Sequence, residues 1–255
     1  MMLTVKDLHV FSGKKELIKG VSFTLPAGKI LIIMGPNGSG KSSLCNALMG
    51  NPAFRTKGSI KLDGTELDGL PADERARKGL FLAFQEPEEI EGVKVSSLVR
   101  RVLAAKEGGP QDADAIVKSY EKTAETAEKL HLDKSFVSRE LNVGFSGGEK
   151  KRMETLQMLA FRPQIAILDE IDSGLDVDGL KLIAKAIKGL GDGRRSFLII
   201  THYPRILRYL KADSVHILAD GRRVESGGAK LAHEVEKKGY AAYLKKGMTV
   251  DVRRK

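Results

Sequence analysis

A glycine-rich loop constrains this chain more than any other feature of its sequence. The short run Lys29–Met34 leads directly into Gly35–Ser42, which reads Gly-Pro-Asn-Gly-Ser-Gly-Lys-Ser and matches the pattern G-x-x-x-x-G-K-[ST] in full. Glycines let backbone N–H groups wrap around phosphate oxygens, at the positive end of the helix that follows. The sequence therefore predicts a buried strand, a phosphate-binding loop and a helix in direct succession.

Two residues at the end of this loop carry specific chemistry. Lys41 can reach the outer phosphates of a nucleotide, and the hydroxyl of Ser42 can ligate Mg²⁺. An ordinary glycine turn is the alternative, but the full match and its strand–helix context favour the phosphate loop. The candidate ATP-binding residues are Gly35, Pro36, Asn37, Gly38, Ser39, Gly40, Lys41, Ser42 and Ser43.

The flanking segments predict an α/β fold with a mostly parallel sheet. Leu3–His9 and Glu16–Leu25 alternate as two antiparallel strands near the N-terminus. Buried strands and helices then follow one another, with Ile165–Leu168 and Phe197–Ile200 as the clearest later strands, and this order is typical of a wound parallel sheet. A hairpin around Asp220-Gly221 closes the pattern.

A helical, charged stretch interrupts this alternation from about Val95. Apolar residues recur there at spacings of three and four: Ile116, Tyr120, Ala124, Ala127 and Leu130. Gly108-Gly109-Pro110 is expected to form a turn within the stretch. We therefore expect one domain over residues 1–255, with an α/β core from 1–94 and 163–255 and an inserted helical subdomain over about 95–162.

Two acids follow the predicted strand Ile165–Leu168. A carboxylate at the end of this strand lies beside the loop of the neighbouring parallel strand, so Asp169 is placed to hold Mg²⁺ directly or through water. Glu170 is the candidate to orient and polarise an attacking water molecule. Taken alone, two such acids more often mark the start of a helix. Beside a phosphate loop, the catalytic interpretation is favoured.

Further polar residues are expected near the same edge of the sheet. Gln85 follows the predicted strand Leu80–Phe84, and His202 follows Phe197–Ile200. Ligands of open parallel sheets gather beyond the carboxyl ends of the strands, although each of these residues alone would more often be structural. Ser146-Gly147-Gly148-Glu149 opens a helix, where a hydroxyl and bare glycine amides form either an anion site or a simple N-cap.

The order of these motifs resembles that of the ABC ATPase family. The matching residues are the phosphate loop, Gln85, Ser146-Gly147-Gly148, Asp169-Glu170, Ser173-Gly174-Leu175-Asp176 and His202. The resemblance covers essentially the whole chain and implies the ABC ATPase fold and hydrolysis of ATP with Mg²⁺. It also implies an ATP-dependent head-to-tail homodimer, in which each ATP lies between one chain's phosphate loop and the Ser146–Glu149 motif of the other.

The same resemblance implies roles for individual residues. Gln85 would sense Mg²⁺ and water, Glu170 would be the general base, and His202 would contact the γ-phosphate. The metal ligands would then be Ser42, Gln85 and Asp169. The Asp176 loop would signal between the two ATP sites, and Phe11 is the nearest candidate for the aromatic residue that stacks on adenine in this family.

Longer strings resemble the SufC branch of the family, the ATPases of the SUF system for assembling iron–sulfur clusters. They are Phe81–Pro87, Asn142–Arg152, Leu168–Asp176 and Thr201–Leu207. This resemblance implies that the partners are scaffold proteins of the SufB type, with or without SufD. Transporter ATPases usually read Leu-Ser-Gly-Gly-Gln and Leu-Asp-Glu-Pro-Thr instead. The ATP-binding subunit of a membrane ABC transporter is the alternative function.

Composition narrows the choice of partners and compartment. The net charge of +10 would suit a nucleic-acid ligand, but no basic stripe is interleaved with aromatic residues, so we expect no nucleic-acid partner. No apolar run approaches the roughly 20 residues of a membrane helix, and the first residues do not resemble a signal peptide. We expect a cytoplasmic protein without membrane insertion, in which the single cysteine, Cys45, is a buried apolar residue.

Overall fold

The computed structural model describes residues 1–107, 112–202 and 204–244, so the expected turn Gly108-Gly109-Pro110 lies outside the described residues. The strands are β1 (Leu3–Ser12), β2 (Lys15–Leu25), β3 (Ile30–Met34), β4 (Arg55–Leu62), β5 (Thr65–Glu66), β6 (Leu80–Ala83), β7 (Ile90–Lys94), β8 (Glu140–Leu141), β9 (Ile165–Asp169), β10 (Ser196–Thr201), β11 (Ser214–Ala219) and β12 (Arg222–Gly227). The helices are α1 (Lys41–Met49), α2 (Ala72–Arg77), α3 (Val95–Glu107), α4 (Ala113–Lys129), α5 (Gly147–Phe161), α6 (Val177–Leu190) and α7 (Ala229–Lys238). Short 3₁₀ helices cover Lys134–Ser138 and Pro204–Arg208.

The first of two compact units contains both large sheets. It comprises Met1–Gln85, Gln164–Ser173 and the described residues from Gly191 onward. An antiparallel sheet has the strand order β2-β1-β4-β5. A second sheet has the order β12-β11-β3-β10-β9-β6 and is parallel except for β12, which pairs antiparallel with β11. The predicted α/β class, with antiparallel N-terminal strands and a mostly parallel sheet, is confirmed.

The core of this unit explains why β3 is apolar at every position. Leu31 and Ile33 belong to a cluster that includes residues of the antiparallel sheet and of α1, while Ile32 and Met34 are buried as well. A strand that is covered on both faces needs such a continuous apolar run. Cys45 on α1 lies in the same cluster with no exposed surface, as predicted, and burial raises the pKa of its thiol well above the usual value.

Parallel pairing brings four strand ends to one edge of the sheet. In β10, Thr201 pairs with Met34 of β3, and the preceding residue Ile200 pairs with Asp169 of β9. In β6, the last residue pairs with Leu168. The residues that follow these strands therefore share one edge, and they include Gly35, Gln85, Glu170 and His202.

The second unit comprises Glu86–Pro163 and Gly174–Leu190 and is mainly helical. Its core cluster contains apolar residues from α3, α4 and α5, among them Val99, Ala127 and Leu156. This division differs from the expected boundaries at 94 and 163. Residues 86–94 and 174–190 join the helical unit because β7 pairs with β8, and because α6 packs against α5.

None of the helices in the described ranges is both long and apolar enough to cross a lipid bilayer.

One half-buried histidine makes the stability of the first unit sensitive to pH. His216 lies on β11, and its ring meets that of Phe23 edge-on with 6.3 Å between centroids. Burial, with a further contribution from Arg223, lowers the pKa of His216 to about 4. An unfolded histidine has a pKa of about 6.5, so the fold favours the neutral ring. The preference for the neutral ring stabilises the fold fully above about pH 6.5. This contribution is lost as the pH falls from about 6.5 toward 4, because the unfolded chain then binds a proton that the folded chain does not.

We expect the substitution His216→Gln to remove this dependence. Between pH 7 and pH 4, the free energy of unfolding should fall by about 1–2 kcal/mol more in the wild type than in the variant, after allowance for solvent screening of a half-buried ring. Denaturant unfolding at a series of pH values measures the difference. Parallel pH profiles for the two proteins would contradict the assignment.

Candidate functional site

A cleft of about 810 Å³ lies in the first unit beyond the carboxyl ends of the parallel strands. Most of the phosphate loop, from Pro36 to Ser43, lines it. Gln85, Glu170 and His202 line the same cleft, each contributed by the end of a different strand. The structure therefore brings together four segments that are far apart in the chain.

Two glycines give the loop its path. Gly40 has φ 101°, and a Cβ atom there would lie 2.7 Å from Cδ1 of Ile18 and 2.9 Å from the carbonyl oxygen of Leu17. A Cβ at Gly35 would lie 2.2 Å from the carbonyl oxygen of Leu218. Helix α1 begins directly after Gly40, which supplies no side-chain cap. The amides of the first turn are therefore not capped by that residue, as suits an anion site.

Lys41 is held inside this loop. Its side chain is only 4% exposed, and Nζ donates hydrogen bonds to the carbonyl oxygens of Gly35 at 3.0 Å and Pro36 at 2.9 Å. Burial lowers the pKa of Lys41, while the nearby carboxylates of Glu170 and Asp169 act in the opposite direction. The ammonium group is thus kept at the centre of the loop, close to two acids.

A chain of polar contacts links the loop to the other strand ends. The hydroxyl of Ser42 donates to Oε1 of Gln85 at 3.2 Å, and Nε2 of Gln85 donates to Oε2 of Glu170 at 2.9 Å. The second carboxylate oxygen of Glu170 contacts Nε2 of His202. Nδ1 of His202 lies 3.1 Å from the carbonyl oxygen of Gly35, where the loop begins. These contacts form a continuous series of five residues that begins and ends on the phosphate loop, hereafter the site ring.

The backbone at Glu170 is in an uncommon conformation. Its φ is 48°, which is unfavourable for a residue other than glycine and costs on the order of 1 kcal/mol. The N–H of Glu170 donates to the carbonyl oxygen of Ile200 at 2.9 Å, and this bond ties the turn to β10. Asp169, just before it, is the last residue of β9 and is 3% exposed.

A buried contact connects the segments that follow β9 and β10. The hydroxyl of Thr201 donates to Oδ2 of Asp172 at 2.8 Å, and both residues are almost fully buried. Burial raises the pKa of Asp172. Thr201 directly precedes His202, and Asp172 follows Glu170 by two positions. This hydrogen bond therefore helps to fix the relative positions of the two side chains that meet in the site ring.

The predicted Mg²⁺ ligands fit a metal that binds together with phosphate. Within the described residues, no group of three or more His, Cys, Asp or Glu side chains could hold a metal. Ser42, Gln85 and Asp169 offer a hydroxyl, an amide and one carboxylate instead. Mg²⁺ prefers oxygen ligands and commonly takes the remainder from water and nucleotide phosphates. The donor set is therefore suitable for Mg²⁺ bound with a nucleotide.

The predicted signature motif lies at the start of α5 in the second unit. Ser146 is the N-cap, and its N–H and hydroxyl both donate to Oε2 of Glu149, at 2.7 and 2.8 Å. The backbone hydrogen bond from Ser146 is the main cause that lowers the pKa of Glu149. Glu149 thus completes a capping box. A Cβ atom at Gly147 or Gly148 would meet no atom within 4 Å, so both glycines face open space.

Asp176 also caps a helix in this unit. Its Oδ1 accepts a hydrogen bond from the N–H of Gly179 at 2.7 Å, in the first turn of α6. The position of the predicted signalling loop is therefore fixed by this cap.

Phe11 is not where an adenine-stacking residue is expected. Its ring lies 4.3 Å from the guanidinium carbon of Arg55 and 5.8 Å from Nζ of Lys57, and Phe11 is not among the cleft-lining residues. Lys15 and Leu17 of β2 line the cleft instead. The expectation for Phe11 is therefore not met, because Phe11 pairs with Glu16, whereas the neighbouring residues Lys15 and Leu17 point to the other face of the strand.

Several residues of the cleft are marked by no sequence motif. Leu17 and Lys15 lie in a strand whose alternation was visible, but nothing in the pattern shows which face borders a ligand. Tyr240 lines the cleft from beyond α7, 38 positions after His202, and no motif marks it. The sequence shows Asp172 as part of Ile171-Asp172-Ser173, which departs from the usual transporter motif. It does not show the buried hydrogen bond that Asp172 accepts from Thr201.

Comparison with known proteins agrees with this geometry. The sequence pattern described as "ABC transporter" matches residues 18–173, which is more than half of the chain. The chain belongs to the ABC transporter ATPase family. It is 48% identical over 240 residues to "Vegetative protein 296" of Bacillus subtilis (strain 168), covering 93% of this chain and 91% of that protein.

Two relatives carry the SufC name. The chain is 43% identical to "Probable ATP-dependent transporter SufC" of Escherichia coli (strain K12), covering 94% of this chain and 97% of that protein. It is 42% identical to "Iron-sulfur cluster assembly protein SufC" of Plasmodium falciparum (isolate 3D7), covering 96% of this chain and 72% of that protein. The chain is thus a SufC-like ABC ATPase, an enzyme that binds and hydrolyses ATP.

The fold is also that of solved ABC cassettes. A bacterial ABC transporter cassette solved as a dimer has a TM-score of 0.75 and 22% sequence identity, covering 89% of this chain and 98% of that chain.

Proposed function

We propose that this SufC-like ATPase hydrolyses Mg-ATP in a site shared by two chains, and that hydrolysis drives a conformational change in a SufB- or SufD-type scaffold during iron–sulfur cluster assembly. The site ring carries the first part of the proposal, because it joins a phosphate loop to a carboxylate, an amide and an imidazole. The two SufC relatives, of 43% and 42% identity, support the second part.

The residues of the phosphate loop bind the nucleotide. Lys41 already lies between two backbone carbonyl groups, and phosphate oxygens compete for its ammonium group when ATP enters. The amides of the first turn of α1 add the positive end of the helix. Ser42, Gln85 and Asp169 hold Mg²⁺, which when bound neutralises phosphate charge.

Glu170 and His202 act on the reacting end of ATP. Glu170 is the general base that accepts a proton from the attacking water, and Gln85 orients its carboxylate through the 2.9 Å hydrogen bond. His202 exchanges its contact with Glu170 for one to the γ-phosphate. The backbone strain at Glu170 is consistent with a side chain that is held for chemistry rather than for folding.

The glycines of the signature motif support a site completed by a second chain. Neither Gly147 nor Gly148 has positive φ, and a Cβ at either would meet no atom within 4 Å. The fold of this chain therefore does not require glycine at either position. Glycine is explained at both positions if a nucleotide held by a second chain approaches the backbone closely there. Ser146 then contacts that nucleotide. The Asp176 loop lies in the same dimer interface in this proposal.

The scaffold contact is proposed for strand β7. Ile90 is 42% exposed at the start of this strand, within the acidic segment Glu86–Glu91, whereas Val93 is partly buried. An exposed apolar side chain on a short outer strand suits a partner contact. We therefore propose Ile90 as the apolar anchor and the surrounding glutamates as the groups that orient the partner.

The hydrolysis proposal predicts different losses for two substitutions. Lys41→Ala should weaken ATP binding, because a charged contact to the phosphates is lost. Glu170→Gln should retain ATP binding and lower kcat by on the order of 10²-fold or more, the scale of general-base catalysis. Equilibrium ATP binding and steady-state hydrolysis measure both effects, with the exposed Glu128→Gln as the control. An equal loss of binding in the two variants would refute the assigned roles.

The scaffold proposal predicts that Ile90→Asp abolishes binding to a SufB-type protein while ATP affinity is retained. The matched control is Val117→Asp, which places the same charge at a 55% exposed valine on α4 of the same unit. Pull-down and nucleotide binding are measured on all three proteins. Unchanged scaffold binding by Ile90→Asp would place the interface elsewhere. If the wild type binds no SufB-type protein and is instead recovered in a membrane complex, the alternative function is favoured, namely that of the ATP-binding subunit of a membrane ABC transporter.

A further inference from the structure

His202 is fixed in the cleft by its ring and by its backbone. Its two ring nitrogens contact Gly35 and Glu170 within the site ring. Strand β10 ends at Thr201, whose pairing with Met34 is the last of that ladder. The carbonyl group of His202 therefore lies beyond the last paired residue of this ladder and can accept a hydrogen bond from a partner in another segment.

Tyr240 supplies that partner. Its hydroxyl donates to the carbonyl oxygen of His202 at 3.1 Å, across a separation of 38 positions in the chain. The same residue lines the ATP cleft together with Glu170, Ser173 and His202. Tyr240 thus contacts the backbone of one site-ring member from within the cleft.

The segment that carries Tyr240 is anchored by a helix. Helix α7 buries Leu231, Ala232 and Val235, and it packs against β11 and the 3₁₀ helix Pro204–Arg208 that follows β10. Gly239 ends the helix with φ 68° and donates its N–H to the carbonyl oxygen of Val235 at 2.8 Å. This reversal sets the direction in which the chain enters Tyr240.

A second tyrosine in the same segment provides a comparison. Tyr243 is 9% exposed, and its N–H donates to the carbonyl oxygen of Tyr240 at 2.9 Å. Unlike Tyr240, it does not line the cleft. A comparison of the two tyrosines therefore distinguishes a role in the cleft, which only Tyr240 can have, from a role in the structure of the segment, which both can have.

We propose that Tyr240 is a positioning residue for ATP hydrolysis: its hydroxyl fixes the backbone of His202, and so holds the imidazole ready for the γ-phosphate. The proposal rests on the role proposed above for His202. Without the hydroxyl, the carbonyl group turns toward solvent and the ring samples orientations away from the site ring. ATP affinity is retained, because the phosphate loop holds the nucleotide independently of this contact.

The first test is Tyr240→Phe in the full-length chain, which removes only the hydroxyl. We expect kcat with Mg-ATP to fall about fivefold, the rate equivalent of a hydrogen bond worth about 1 kcal/mol, while KM stays within about twofold. The thermal unfolding midpoint is measured alongside to exclude a loss of fold. Tyr243→Phe is the control and should hydrolyse ATP at the wild-type rate.

A double-mutant cycle tests whether the effect acts through His202. Adding Tyr240→Phe to His202→Ala should cause no further loss of kcat, because the side chain being positioned is already absent. Independent losses in the double variant would overturn the proposal, as would a raised KM with unchanged kcat, or an equal loss in Tyr243→Phe. Wild-type activity in Tyr240→Phe, with His202→Ala impaired, would refute the role of Tyr240 alone. Wild-type activity in His202→Ala would instead refute the proposed function of His202.

Discussion

The parallel pairing of β3, β10, β9 and β6 is the constraint on which the site depends. Because these strands run in one direction and end at nearly the same level, the residues that follow them lie within hydrogen-bonding distance. The site ring of Gly35, His202, Glu170, Gln85 and Ser42 is the direct result. A shift of one strand along the sheet would break the site ring, so the buried apolar residues of these strands hold the ring as well as the fold.

The ring joins groups with different chemical roles and leaves each one able to change partner. Nζ of Lys41 donates hydrogen bonds to two carbonyl groups of its own loop. The two ring nitrogens of His202 contact a carbonyl group and a carboxylate. Phosphate oxygens compete for both side chains. In this account, binding of ATP redistributes contacts that the protein already makes, which limits the reorganisation needed for catalysis.

Much of this arrangement was predictable from the sequence because it depends on local patterns. The loop after β3 has a complete motif, and Gln85, Glu170 and His202 follow apolar strands directly, so parallel topology alone places them together. Their chemical roles stay predictions. The position of Phe11 was not predictable, since the alternation of the first hairpin does not show which of its faces borders the cleft. Tyr240 reaches the cleft through the packing of α7, which no periodicity reveals.

The central claim is that one chain holds only part of each ATP site and that nucleotide brings two chains together. Sedimentation of Glu170→Gln with and without Mg-ATP tests this claim most directly, because slow hydrolysis should preserve the bound nucleotide. The account predicts a monomer without nucleotide and a dimer with Mg-ATP. A dimer fraction that does not change with nucleotide, or a monomer under both conditions despite bound ATP, would contradict it.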